Sequence, residues 1–149
     1  MGELKPNSGS VYIHPNLNVQ YINQGLVGYF KQNRLLDNFI GIDEESKVRQ
    51  YLGAALIRRE KVTDFIENFS YGELMRAAIV KCILEKTEFL LLLLLDEPTS
   101  HLDIESIEIL ESLLINYHGG FLIISHDRTF VSNIADKLYV LENNKIKQV

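Results

Sequence analysis

The chain has 149 residues, of which 46% are hydrophobic, and a formal net charge of -5. That length suits one compact domain, and that apolar content excludes a disordered chain. The mild acidity gives the domain itself no electrostatic reason to grip nucleic acid or an anionic membrane.

The start, Met1 to Pro6, lacks the basic flank and apolar stretch of a signal peptide. The longest apolar run, Phe89 to Leu95, is far too short to span a bilayer, so no membrane insertion is expected. The one cysteine, Cys82, cannot close an internal disulfide and has no metal-ligand spacing around it. It reads as a small buried side chain on a helix, and a reducing, cytoplasmic setting is expected.

Pro6-Asn7-Ser8-Gly9 reads as a turn. Ser10–Ile13 and Asn18–Ile22 follow as short strands separated by a Pro15-Asn16 turn. From Gln24 to Asn68 the pattern is mixed, with helices expected over Glu44–Ile57 and Glu60–Glu67. Ser70–Lys86 reads as a helix with Leu74, Ala77, Ala78 and Leu84 recurring near helical spacing. Phe89–Leu95 suits a strand buried on both faces of a parallel sheet. Asp103 can cap a helix over Ile104–Tyr117, with Ile107, Leu110 and Leu114 on one face. Gly119-Gly120 stops that helix, and Phe121–Ile124 reads as a second buried strand. A short helix over Arg128–Ala135 comes next. Leu138–Leu141 and Ile146–Val149 then flank an Asn143-Asn144 turn as a terminal hairpin. Alternating strands and helices imply an α/β fold.

Three stretches carry chemistry. In Leu95-Asp96-Glu97-Pro98-Thr99-Ser100-His101-Leu102-Asp103, two adjacent carboxylates follow an apolar strand. Ligands of open α/β sheets sit at the carboxyl ends of strands. Alternation along the strand would point Asp96 and Glu97 in different directions, one toward a magnesium ion and the other toward an attacking water. Pro98, which has no N–H to donate, would end the strand. In Asn68-Phe69-Ser70-Tyr71-Gly72-Glu73, Ser70 and Glu73 have the spacing of a capping box. A helix start of this kind is also an anion site. In Ile123-Ile124-Ser125-His126-Asp127-Arg128, His126 lies just past a buried strand, twenty-nine positions after Glu97, which lets both side chains meet at one sheet edge.

In this order, the three stretches resemble the Walker B segment, signature element and switch histidine of an ATP-binding cassette (ABC) ATPase. His101-Leu102-Asp103 and Ser125-His126-Asp127-Arg128-Thr129-Phe130 are closer to the ABC-F branch than to membrane transporters, and Gly2 to Val11 looks like the ABC-F segment after the Walker A helix. The resemblance covers essentially the whole chain and is nearest to a second, C-terminal cassette. It implies an α/β, P-loop NTPase-like parallel sheet with a helical subdomain. Residues 1–24 would be the strand region leading to the Q-loop, 25–88 the helical subdomain with the signature, and 89–149 the Walker B to H-loop core and terminal hairpin.

The resemblance also assigns roles. Asp96 would organise magnesium, usually through water, Glu97 would be the base for the hydrolytic water, and His126 would contact the γ-phosphate of ATP. Ser70, Gly72 and Glu73 would cap the γ-phosphate of ATP held by an opposing cassette, and Asp103 would lie in the D-loop at the interface between cassettes. Gln24 is preferred as the Q-loop residue touching magnesium and the attacking water, with Gln32 of Val27-Gly28-Tyr29-Phe30-Lys31-Gln32 as its competitor. His14, His101 and His118 read as turn or surface residues.

ABC-F proteins carry two cassettes in one chain, lack a membrane domain and generally act on ribosomes. A second cassette and the ribosome are therefore the expected partners. An ATPase subunit of a membrane transporter and a non-enzymatic remnant are the alternatives.

The chain departs from the family at three points. Tyr71 stands where the signature usually has Gly. No Gly-x-x-x-x-Gly-Lys-Ser/Thr occurs in the 149 residues, so the Walker A strand and loop are missing from them and the isolated chain is expected to bind ATP weakly or not at all. Ser70 precedes Asp96 by twenty-six positions, roughly three more than a helix, turn and short strand need. The excess is expected near Thr87-Glu88 or at the entry end of the strand.

Overall fold

A computed structural model describes residues 7–23, 25–85 and 91–149. Three strands form a parallel sheet in the order β1-β2-β3: β1 is Asn18–Ile22, β2 Leu91–Asp96 and β3 Gly120–Ile124. Tyr21 pairs with Leu94 and Leu94 with Leu122, while Ile22, Leu95 and Ile123 form the next row. The helices are α1 (Leu26–Tyr29), α2 (Glu45–Ala54), α3 (Tyr71–Leu84), α4 (Ile104–Ile115) and α5 (Arg128–Ile134). A two-stranded antiparallel hairpin, β4 (Tyr139–Glu142) and β5 (Lys145–Gln148), closes the chain. Asn143 and Asn144 both take the left-handed conformation that a tight two-residue turn requires.

The core explains the sequence pattern of α3. Met75, Ala77, Ala78, Ile79, Val80 and Cys82 are all buried, so this helix is covered nearly all round. One hydrophobic cluster runs from Ile22, Leu93 and Leu95 on the sheet, through α3, to Leu110 and Leu114 of α4 and Phe130 of α5. Helix α2 ends in a left-handed Leu56, where the Ile57 N–H donates back to the Leu52 carbonyl at 2.8 Å.

Several expected elements take another form. Ser10–Ile13 is not a strand. No strand among the described residues pairs with it, and Val11, Tyr12 and Ile13 are exposed. Glu60–Glu67 is two short 3-10 turns, Arg59–Thr63 and Ile66–Asn68. The break falls at Asp64, whose carboxylate accepts hydrogen bonds from Phe65 N–H and Asn68 Nδ2 and so competes with a continuous helix.

Among the described residues, strands β2 and β3 are covered on one face only. Leu93 and Leu95 are buried, whereas on the opposite face Tyr21, Leu122 and Ile124 are 49%, 56% and 62% exposed. Parallel sheets are ordinarily covered on both faces, and no element among the described residues covers this one. The outer edges of β1 and β3 are likewise unpaired among the described residues. Asp96 is the last residue of β2. Thr87-Glu88, the Phe89-Leu90 start of the expected strand, the Lys86 end of the expected helix, and Met1 to Pro6 lie outside the described residues.

Candidate functional site

At Asp96 the chain leaves β2, and Glu97 immediately adopts a left-handed φ of +50°. A side chain with a Cβ reaches that region only at a cost, and such residues gather at functional sites. The strand therefore ends before Pro98. The divergence of Asp96 and Glu97 comes from this backbone kink rather than from strand alternation.

Hydrogen bonds hold the kink in place. Glu97 N–H donates to the Ile124 carbonyl at 2.8 Å, tying the turn to the exit of β3. Ser100 N–H reaches the Glu97 carbonyl and Leu102 N–H the Thr99 carbonyl, each at 3.1 Å. Thr99 Oγ1 and Ser125 Oγ are 3.4 Å apart, and Ser125 Oγ accepts from Asp127 N–H at 3.1 Å. The loops after β2 and β3 are thus stitched together, and this brings His126 to the carboxylate pair.

His126 Nε2 lies 3.6 Å from Glu97 Oε1, beyond hydrogen-bond reach. The imidazole is 98% exposed, whereas the Glu97 side chain is only 21% exposed. Glu97 Oε1 itself is enclosed and has no hydrogen-bond partner among the described residues. Buried carboxylate oxygens are ordinarily satisfied, so an orphan of this kind marks a place where a water or another polar group belongs. Asp96 Oδ2 accepts from the Tyr21 hydroxyl at 3.3 Å. Tyr21 was not singled out by its sequence position. The signal that finds it is the parallel register, which sets its strand beside β2.

The donor set at this rim suits a hard cation that is only partly held by protein. Magnesium binds through one or two carboxylates and keeps water and phosphate oxygens as its other ligands. Asp96 offers such a carboxylate, and no group of three or more His, Cys, Asp or Glu side chains among the described residues forms a cage of its own.

Ser70 and Glu73 form the full capping box at the start of α3. Ser70 Oγ accepts from Glu73 N–H at 3.3 Å, and Glu73 Oε2 accepts from Ser70 N–H at 2.8 Å. Lys61 Nζ stands 3.5 Å from the same carboxylate. Gly72 packs directly on the loop after β2, since a Cβ there would sit 2.9 Å from Leu102 Cδ2. Among the described residues no hydrogen bond joins Ser70, Gly72 or Glu73 to Asp96, Glu97 or His126.

Asp103 caps α4, its Oδ1 accepting from Ser106 N–H at 2.8 Å, and this hydrogen bonding to Ser106 holds its carboxyl below the usual range. Gln24 lies outside the described residues. The competing Gln32 sits in a turn clasped by Asn38, whose Oδ1 accepts from Gln32 N–H and whose Nδ2 donates to the Gln32 carbonyl.

Comparison with known proteins places this arrangement. The model of the family described as "ABC transporter" matches residues 1–100. The putative ATP-binding protein YdiF of Bacillus subtilis is 36% identical over 149 residues, covering 97% of this chain and 23% of that protein. ATP-binding protein Uup of Buchnera aphidicola (subsp. Acyrthosiphon pisum) is 30% identical over 97% of the chain and 25% of its own length. Probable ATP-binding protein YheS of Escherichia coli K12 is 31% identical over 98% and 23%. The chain thus spans about a quarter of the length of the curated relatives it matches.

Among solved structures, the complex of archaeal ribosomal stalk protein aP1 with the archaeal ribosome recycling factor aABCE1 matches with a TM-score of 0.59 at 21% identity. It covers 83% of this chain and 24% of that one, a likeness of fold. A parallel sheet with helices, the order of the motifs along the chain and these matches together show that the chain belongs to the ABC transporter family of ATP-binding cassettes, alongside its ABC-F type members.

Proposed function

We propose that this chain is the catalytic and signature portion of an ABC-F type cassette that binds and hydrolyses ATP in the cytoplasm. The observation that carries the reading is the meeting of Asp96, Glu97 and His126 at one end of the sheet, where an enclosed Glu97 oxygen takes no hydrogen bond from the described residues. Asp96, with Gln24, would hold Mg2+, which supplies charge neutralisation at the terminal phosphates. Glu97 would accept a proton from the attacking water, its orphan oxygen being the acceptor. The exposed His126 can swing over the terminal phosphate and orient that water. Residues 89–149 carry this core, and residues 25–88 present Ser70, Gly72 and Glu73 to ATP on a second cassette. Asp103 would lie along the contact between the two.

The family's phosphate cradle, a glycine-rich loop ending in Lys-Ser/Thr, does not occur within these 149 residues. The 149 residues by themselves are therefore proposed to be inactive.

A ribosomal partner is the reading favoured by the ABC-F relatives and by the fold neighbour, whose own structure includes a ribosomal stalk protein. The test uses the full protein with Glu97→Gln. This variant is expected to retain ATP without hydrolysing it and to co-sediment with ribosomes only when ATP and Mg2+ are present. Sedimentation independent of nucleotide would overturn the ribosomal part, and failure to retain ATP would overturn the cassette reading itself.

A further inference from the structure

Arg76 is a charged side chain in a helix that is otherwise core. It is 7% exposed, and no carboxylate among the described residues lies within ion-pair distance of it. Burying a charge without a counter-charge is costly, and an apolar side chain of like volume ordinarily serves such a position as well or better. The guanidinium instead makes two hydrogen bonds in fixed directions. Nε donates to the Ala55 carbonyl, at the end of α2, at 2.9 Å, and Nη1 donates to Ser106 Oγ, in the first turn of α4, at 2.5 Å.

Nη1 reaches back toward the start of its own helix. A Cβ built on Gly72, one turn earlier, would lie 3.8 Å from Nη1, 3.5 Å from Ser106 Oγ and 2.9 Å from Leu102 Cδ2. Gly72, Arg76, Leu102 and Ser106 thus meet at one point, and only a glycine leaves room for the meeting. Ser106 is itself held, its N–H donating to Asp103 Oδ1 at 2.8 Å. From Leu102 two turn hydrogen bonds lead back to the Glu97 carbonyl. Tyr71, beside Gly72, packs against the hydrophobic core. The start of α3 therefore rests on the loop between β2 and α4. Among the described residues, the hydrogen bond from Arg76 to Ser106 is the one that crosses this seam from α3.

We propose that Arg76 is a positioning residue for hydrolysis, which through Ser106 pins the first turn of α3 to the loop that leaves Glu97. The proposal rests on the cassette reading. Under that reading Ser70, Gly72 and Glu73 face the nucleotide of the opposing cassette, while Glu97 serves the nucleotide of its own. Arg76 then holds two half-sites in one fixed relation. A charge-assisted hydrogen bond has a direction that an apolar contact lacks, which accounts for a buried guanidinium where a methionine would pack. Arg76 touches no reacting atom and acts through Ser106.

The test is steady-state ATP hydrolysis by the full protein, comparing the parent with Ser106→Ala, Arg76→Lys and the double variant well below each melting transition. Ser106→Ala removes the acceptor and leaves the bond to Ala55 in place. It is expected to lower kcat about tenfold while KM for ATP stays within about twofold, because each nucleotide first binds its own cassette and the signature acts only in the assembled pair. Arg76→Lys lacks the planar fork that serves both acceptors and should lose kcat by a similar factor. The double variant should fall no further than Arg76→Lys alone, since both substitutions cut the same link. A merely structural role would lower the melting temperature and leave kcat of the folded variants at the parent's value. A kcat for Ser106→Ala within about twofold of the parent overturns the proposal, as does a loss confined to KM. Losses that multiply in the double variant overturn it too. If Ser106→Ala does not fold, Arg76→Lys against the parent decides by the same criteria. A parent without ATP turnover at any Mg2+ concentration removes the cassette reading and this proposal with it. Turnover in the parent with the variants indistinguishable from it removes the proposal alone.

Discussion

His126 Nε2 stands 3.6 Å from Glu97 Oε1, an exposed imidazole beside an enclosed carboxylate oxygen that takes no hydrogen bond from the described residues. The gap is slightly too long for a direct bond and leaves the oxygen available to a water. If the imidazole orients that water, His126→Ala should lower ATP turnover by the full protein about 10²-fold, the usual span for one positioned acid–base group. Nucleotide retention should change little. Phosphate-release kinetics beside nucleotide retention check this, and turnover within a few-fold of the parent would assign His126 to a structural role.

Arg76 is buried and donates to the Ala55 carbonyl and to Ser106 Oγ, clamping α3 to the end of α2 and the start of α4. Replacing it by methionine keeps much of the volume and leaves both acceptors without a partner. Arg76→Met is expected to destabilise the domain by about 2–3 kcal/mol, in the range for hydrogen bonds made by a charged group. Denaturant unfolding of parent and variant measures it, and a loss below about 0.5 kcal/mol would show that water replaces the clamp.

Gly72 is set by close approach rather than by backbone conformation. A methyl group there meets Leu102 Cδ2 at 2.9 Å, with Ser106 Oγ at 3.5 Å behind it. Gly72→Ala should cost about 1–3 kcal/mol, because one extra carbon forces the packed leucine or the helix to shift. A melting curve coincident with the parent's would mean that Leu102 moves aside freely.

Cys82, Tyr29 and Tyr117 make an alkaline liability. Burial pushes the Cys82 thiol up to about 11 from 9.0 and Tyr117 up to about 12, and burial also raises Tyr29, which shares a 3.4 Å hydrogen bond with Cys82. The native state keeps the thiol proton at pH values where the unfolded chain has lost it. The thiol's contribution is therefore fully present below about pH 9 and is lost as pH rises toward about 11. That loss amounts to about 2–3 kcal/mol for the thiol alone. Melting temperature should fall between about pH 9 and 11, and less steeply in Cys82→Ala, where only the tyrosines remain. Identical slopes would remove Cys82 from the effect.

Much of this architecture was legible in the residues. The strand that ends at Asp96, the Ser70 and Asp103 caps and the paired asparagines of the terminal turn depend on local chemistry and stand where their patterns implied, whereas the burial of that strand on both faces does not hold among the described residues. Ser10–Ile13 differs from its expected form because alternation cannot reveal whether a partner strand exists, and none among the described residues pairs with it. Leu122 and Ile124 look as apolar as Leu93 and Leu95, yet only the latter pair has helices packed over it. The left-handed Glu97 was invisible, since glutamate gives no signal for positive φ and the conformation is imposed by the bond to Ile124. Tyr21 reaches Asp96 only through sheet register, which residue spacing alone does not encode.

Phosphate release by the full protein at saturating ATP and Mg2+, compared between the parent and Glu97→Gln, tests the central claim most directly. The account predicts turnover in the parent and a loss of at least about 10²-fold in the variant, with ATP still bound. Equal turnover in the two proteins would contradict it, because the enclosed oxygen beside His126 would then have no part in the reaction.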